Sequence, residues 1–174
     1  KLAKSFLDNS NNIADELLEK LRIIAKKGAL RAIRTGDTAI GHAIESALNI
    51  EQNSSKKPDY KGIELKSSRA NKITRKNLFA QVSDWEKSKF KSSEEILNRF
   101  GYQRGSDFKL YCTVSSKVVN SQGLSLKTNL EDDLLIEYSN KPEVGEFVVW
   151  TLTKLKSRLL EKHKETFWVE ATST

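Results

Sequence analysis

The order of patterns along the chain predicts a mixed α/β fold, with α+β the neighbouring class. Three observations carry it. Helical periodicities open the chain, short alternating runs follow them, and a last amphipathic stretch precedes a closing apolar run. No internal repeat or low-complexity segment interrupts this order.

Each element has its own signature. Over 13–27, Ile13, Leu17, Leu21 and Ile24 recur at helical spacing, and Gly28 is the stop. A second helix is expected over 39–50, capped by Asp37 or Thr38, with Ile40, Ile44, Ala47 and Leu48 as its stripe. Pro58 opens a strand signal at Gly62–Ser67, where Ile63 and Leu65 alternate with Glu64 and Lys66. The run "LFAQV" reads as a strand and "DWEKSKF" as a helix. "SSEEILNRFGY" reads as a helix capped by Ser92 or Ser93 and ended near Gly101. Three strand-like runs follow, "DFKLYCTVSS", "LSLKTNL" and "LLIEYS", with a hairpin turn at Ser121-Gln122-Gly123 between the first two. "EFVVWTLTKLKSRLLEKH" carries the strongest helical pattern, with Val148, Leu152, Leu155 and Leu159 on one face. "ETFWVEAT" reads as a closing strand.

The chain has 174 residues and reads as a single domain over 1–174. It begins with lysine and contains no methionine, so the expectation is a fragment or a sequence from which methionines have been lost. Lysine and arginine total 30 against 23 acidic residues, a net charge of +7. A basic excess suits a polyanionic partner, nucleic acid first. Cys112 is the only cysteine, so a disulfide within the chain and a cysteine zinc cluster are both excluded. His42 and His163 stand too far apart for zinc-ligand spacing. No apolar run approaches the ~20 residues that span a bilayer, and the N-terminus is too polar for a secretory signal. A reducing cytoplasm, with no membrane partner, is the expected location.

The segment "PDYKGIELKSSR" concentrates the chemistry. Magnesium takes hard oxygen ligands, one or two carboxylates with water and phosphate. A lysine beside the attacking water orients it or shares charge. Asp59, Glu64 and Lys66 supply that set across a short hairpin, and Gly62 permits the tight geometry. The plain alternative is a charged edge strand. A decoy of the same spacing stands at Asp107 and Lys109, without an upstream acid. Glu45 lies one helix upstream. Gly41, in the middle of that helix, costs about 1 kcal/mol against alanine, so a close approach there is expected. His42 reads as a surface or packed histidine.

These residues carry a resemblance. "RTGDTAIGHAIESALNI", a polar spacer and "PDYKGIELKSSR", then "KHKETFWVEA" near the end, resemble the MvaI/BcnI family of restriction endonucleases, related to the MutH nicking enzyme. The similarity spans most of residues 14 to 171. It implies a PD-(D/E)xK nuclease core, a central mixed sheet flanked by helices. It implies that Asp59 and Glu64 hold Mg2+, with the Leu65 carbonyl a further ligand. Lys66 would position the water, and Glu45 would hold a second metal or a metal-bound water. It also implies a monomer that nicks one strand at a time, paired with a protective methyltransferase if it is a restriction enzyme. Family members run longer, so part of a C-terminal recognition region is expected to be missing.

Double-stranded DNA is therefore the expected partner. Phosphate contacts are expected from Arg34, Lys56, Lys57, Arg69, Lys72, Arg75 and Lys76, although a solvated basic face is the ordinary fate of such a run. Two other readings stand beside a magnesium-dependent type II restriction enzyme. One is a DNA-binding module without catalysis, the other a repair nicking enzyme that acts with a partner protein.

Overall fold

A computed structural model describes residues 2–36, 38–51, 57–70 and 75–172, with residues 2–11 described by backbone alone. Asp37, Lys56 and Lys72 lie outside the described residues. The elements run α1 (Leu2–Lys26), α2 (Ala39–Ala47), β1 (Glu64–Arg69), α3 (Ser93–Phe100), β2 (Tyr102–Arg104), β3 (Asp107–Lys109), β4 (Leu124–Asn129), β5 (Leu134–Ser139), β6 (Gly145–Thr151), α4 (Leu152–Lys162) and β7 (Thr166–Ala171). The mixed α/β class holds. The described strands are shared among three sheets, β1–β7, β2–β3 and β4–β5–β6, where the sequence suggests one central sheet.

The chain forms two compact units, one from 1–79 with 159–174 and one from 80–158. The first is built on a parallel pair. β1 and β7 run in register from Glu64 opposite Thr166 to Arg69 opposite Ala171. Parallel strands need a long crossover, and here the connection from Ala70 to Glu165 contains the whole second unit. Leu17 of α1 and Ile44 and Leu48 near α2 pack with Tyr60, Ile63 and Leu65 into a buried core, joined by Phe167 and Val169 of β7. Each such aliphatic residue contributes about 1.5–3 kcal/mol when fully buried. Asn49 ends α2 in the left-handed region, φ 56, and Ile50 N–H donates back to the Glu45 carbonyl at 2.9 Å.

In the second unit, β4, β5 and β6 form an antiparallel meander. Phe147 and Val148 of β6 are buried with Phe100, Leu124 and Val144. The Phe90, Phe100 and Phe147 rings lie 5.0–6.4 Å apart, in the range for favourable tilted pairs. Ser92 caps α3 by accepting from Glu95 N–H at 3.2 Å, as its position in the sequence predicts.

Several local expectations fail for identifiable reasons. The stretch 146–163 is a strand followed by a helix. Phe147, Val148, Val149 and Trp150 are β-branched or aromatic, and the last three pair with β5 while Phe147 stands at a bulge, which outweighs their helical spacing. Asp133, at φ 59, then starts α4 by accepting Leu152 N–H on its carbonyl at 2.8 Å and Thr153 N–H on its carboxylate at 3.1 Å. α1 begins before residue 13, and α2 stops at Ala47. Thr38 precedes α2 without a side-chain capping bond. "LFAQV" forms no strand, leaving Leu78 and Val82 exposed. "DWEKSKF" closes one turn, with Ser88 N–H on the Asp84 carbonyl at 2.9 Å. Only Asp107–Lys109 of the 107–116 run is strand, paired with the unexpected β2. The turn before β4 is present but leads from a loop, Asn120, and not from a strand.

Glu137 of β5 lies opposite Leu126 on one side and Val148 on the other. Burial pushes its carboxyl up from 4.5 to about 7. The folded state therefore binds more protons, and stability falls as pH rises from about 4.5 to about 7. Glu137→Gln is expected to remove that fall and to stabilise the protein at pH 8 by about 1–2 kcal/mol, after allowance for partial solvent screening. Urea unfolding at pH 5 and pH 8 measures it, and identical pH dependence in both proteins would exclude it.

Candidate active site

A two-residue turn creates the site. Tyr60 and Ile63 exchange backbone hydrogen bonds of 2.9 and 2.7 Å. Lys61 and Gly62 between them both have positive φ, 45 and 95. That is the hairpin geometry that matches strand twist, and glycine adopts it without steric cost. Lys61 pays for its own strain with an ion pair to Glu16 of α1 at 2.7 Å. Tyr60 also donates to Glu16, at 2.7 Å, and accepts from Lys20. These contacts, Lys61 first, hold the Glu16 carboxyl down at about 2. The turn is thereby fixed to α1.

The reversal brings Asp59 against Glu64. Asp59 Oδ2 accepts from Leu65 N–H at 2.9 Å, and its carboxyl is within hydrogen-bonding reach of the Glu64 carboxyl. Burial raises the Asp59 pKa; the Leu65 N–H opposes the rise, and the neighbouring Glu64 charge adds to it.

Glu64 is the most deeply buried charged residue among those described. Its side chain is only 2% exposed, and it is flanked by two ammonium groups. Lys66 Nζ lies 2.8 Å from Oε1. Lys162 Nζ, from the last turn of α4, lies 3.0 Å from Oε2. The second contact is close but off the hydrogen-bonding direction, so Oε2 is buried without a hydrogen bond. Lys162 also donates to the Lys57 carbonyl at 3.3 Å. The sequence analysis assigns Lys162 no role. It lies 98 positions from Glu64, and only the parallel pairing of β1 with β7 draws the end of α4 toward Glu64.

The decoy shows what burial adds. Asp107 and Lys109 form an ion pair of 2.7 Å with the same spacing as Glu64 and Lys66, yet Asp107 is 64% exposed. A pair in water contributes little and presents nothing in need of a cation. Asp107 has its own lysine and a serine as partners, which lower its pKa. Asp59 is shifted the other way.

The remaining expected residues fall at different distances from this centre. α2 packs on β1, and a Cβ added to Gly41 would stand 3.2 Å from Ser67 Oγ and 3.8 Å from Glu45 Oε1. The close approach expected at Gly41 is therefore present. Ser67 follows Lys66 and faces the other side of the strand, so the Gly41–Glu45 turn adjoins β1 from the side opposite Lys66. No three acidic, histidine or cysteine side chains converge among the described residues, and the acids brought together are Asp59 and Glu64. Arg69 donates to the Gly36 carbonyl at 3.3 Å. Lys76 pairs with Glu170 at 3.3 Å and lies 5.2 Å over the Trp168 ring. Trp168, opposite Lys66 in the sheet and 47% exposed, is a second residue the sequence analysis leaves without a role. Arg34, Lys57 and Arg75 are exposed. His163 is occupied structurally, with Thr166 Oγ1 at 2.9 Å and the Leu78 carbonyl at 2.7 Å. His42 has Ser46 Oγ at 3.5 Å on the same helix.

The model of the MvaI/BcnI restriction endonuclease family matches residues 18–174. The chain belongs to this family. Membership makes it a type II restriction endonuclease. Among solved structures, the restriction endonuclease MvaI in complex with its cognate DNA substrate is similar, with a TM-score of 0.77 and 21% identity over 92% of this chain and 67% of that one. At that identity the likeness establishes the fold. Comparison with curated proteins gives no match. No helix of the described residues is long and apolar enough to cross a membrane.

In this family member, Asp59 is held in a site that penalises its charge. Its folded carboxyl titrates above the unfolded value, so stability falls as pH rises through that interval. Asp59→Asn keeps an acceptor for Leu65 N–H and removes the penalty. It is expected to raise the melting temperature in chelator at neutral pH and to leave it no higher when a divalent cation is added. Thermal melts with and without chelator check this, and a lower midpoint for Asp59→Asn in chelator would contradict it.

Proposed function

We propose that the chain cuts double-stranded DNA at a short specific sequence by divalent-cation-dependent hydrolysis, with Mg2+ as the cation. The observation that carries this reading is Glu64, a buried carboxylate beside a second carboxylate, Asp59; the Glu64 Oε2 is held by an ion pair to Lys162 and by no hydrogen bond. Two adjacent carboxylates, one of them buried, supply the hard oxygen donors that suit a dication. Asp59 and Glu64 would hold it, with the Leu65 carbonyl as a further ligand. When bound, the cation supplies an acidified water and charge stabilisation at phosphorus.

The chain's own residues do the rest. Lys66 holds Glu64 in place through its 2.8 Å contact and presents its ammonium to the attacking water and the developing phosphate charge. Glu45, which reaches β1 from the side opposite Lys66, would hold a second metal or a metal-bound water apart from the Asp59–Glu64 pair. Arg34, Lys57, Arg69, Lys72, Arg75 and Lys76 contact phosphates, setting register and salt-dependent affinity. Two of these carry present partners that the DNA backbone would share, Gly36 for Arg69 and Glu170 for Lys76. The protein acts as a monomer that nicks one strand at a time, and a cognate methyltransferase protects host DNA.

The test is plasmid cleavage with Mg2+. Wild type is expected to nick and then linearise the plasmid. Lys66→Ala is expected to lose at least about 10²-fold in rate, while Asp107→Asn, at the exposed decoy, keeps wild-type rate. Binding without cleavage under any divalent cation, or a Lys66→Ala enzyme as fast as wild type, would defeat the assignment.

A further inference from the structure

Lys162 sits where the proposed cation chemistry should be. Of the two Glu64 oxygens, Oε1 is engaged by Lys66 at 2.8 Å. The other, Oε2, has no hydrogen bond and is covered by Lys162 at 3.0 Å. Lys162 is itself 14% exposed, so its charge is largely withdrawn from water. With Asp59 and Glu64 carrying two negative charges and Lys66 and Lys162 two positive ones, the cluster is neutral as it stands. A dication added to that cluster would leave two charges uncompensated within a few ångströms. At an effective dielectric of about 20, like charges at such separations repel by several kcal/mol. Withdrawal of one ammonium would relieve half of that excess charge, and the geometry favours Lys162. Lys66 makes the shorter contact. Lys162 lies off the hydrogen-bonding direction and already has a second acceptor, the Lys57 carbonyl at 3.3 Å.

We propose that Lys162 is a positioning residue, a built-in counter-ion that holds Glu64 in the buried site before the cation arrives and yields Oε2 to it. This rests on the reading of Asp59 and Glu64 as cation ligands. The contact keeps a buried carboxylate compensated and lowers the affinity of the DNA-free protein for divalent cations. Removing the ammonium while keeping the side-chain volume opens Oε2.

Mn2+ binding to the DNA-free full chain, counted by electron paramagnetic resonance, tests this with no cleavage readout. Lys162→Met is expected to bind Mn2+ at least tenfold more tightly than wild type. Lys162→Gln, which retains a hydrogen-bond donor should the methionine variant fold poorly, is expected to shift the same way. Damage to the fold would weaken binding, so the direction separates the two roles. Glu64→Gln is expected to lose the site. Lys162 variants that bind no better than wild type, while Glu64→Gln loses binding, would overturn the counter-ion role alone. Wild-type affinity in Glu64→Gln would overturn the cation assignment and the counter-ion role with it.

Discussion

The buried charge of Glu64 is the constraint around which the site is organised. Withdrawing a carboxylate from water costs several kcal/mol even after relaxation. The structure offsets that cost with two lysines from different elements, Lys66 on β1 and Lys162 at the end of α4. Neither is sufficient by position alone. Lys66 is two residues along the same strand. Lys162 arrives because β7 pairs in parallel with β1, beginning with Thr166 opposite Glu64. The sheet pairing is therefore also a charge-compensation device. Stability alone does not call for it, since well-packed apolar residues usually do as well as a buried ion pair. A cation-binding function gives the charge a reason to be kept.

The second constraint is the turn at Lys61 and Gly62. It places Asp59 across from Glu64, and its anchor through Tyr60 and Lys61 to Glu16 ties the acids to α1. The same hairpin delivers Ile63 and Leu65 to the core. One short segment thus has an apolar face that holds the fold and a charged face that holds the site.

Much of this was legible in the sequence. The spacing of Asp59, Glu64 and Lys66, the glycine between them and the close approach at Gly41 are local features, set by turn chemistry and strand alternation. The family resemblance was carried by those same blocks. The helical stripes of α1 and α2 and the cap at Ser92 were readable for the same reason. What was not readable depended on pairing partners. Phe147 to Trp150 satisfy a helical period as well as a strand, and β5 decides between them. "LFAQV" has strand composition but pairs with no strand among the described residues. Lys162 looked like one lysine among many until the crossover closed. The distinction between Glu64–Lys66 and Asp107–Lys109 is likewise invisible in spacing, because it lies in burial.

The most direct test of the account is where a divalent cation binds. Crystals of the full chain grown with Mn2+ and uncleaved DNA would show it by anomalous scattering. The account predicts a peak bound by the Asp59 and Glu64 carboxylates, with Lys162 moved off Oε2. A peak at other residues, with Glu64 still held between its two lysines, would contradict it.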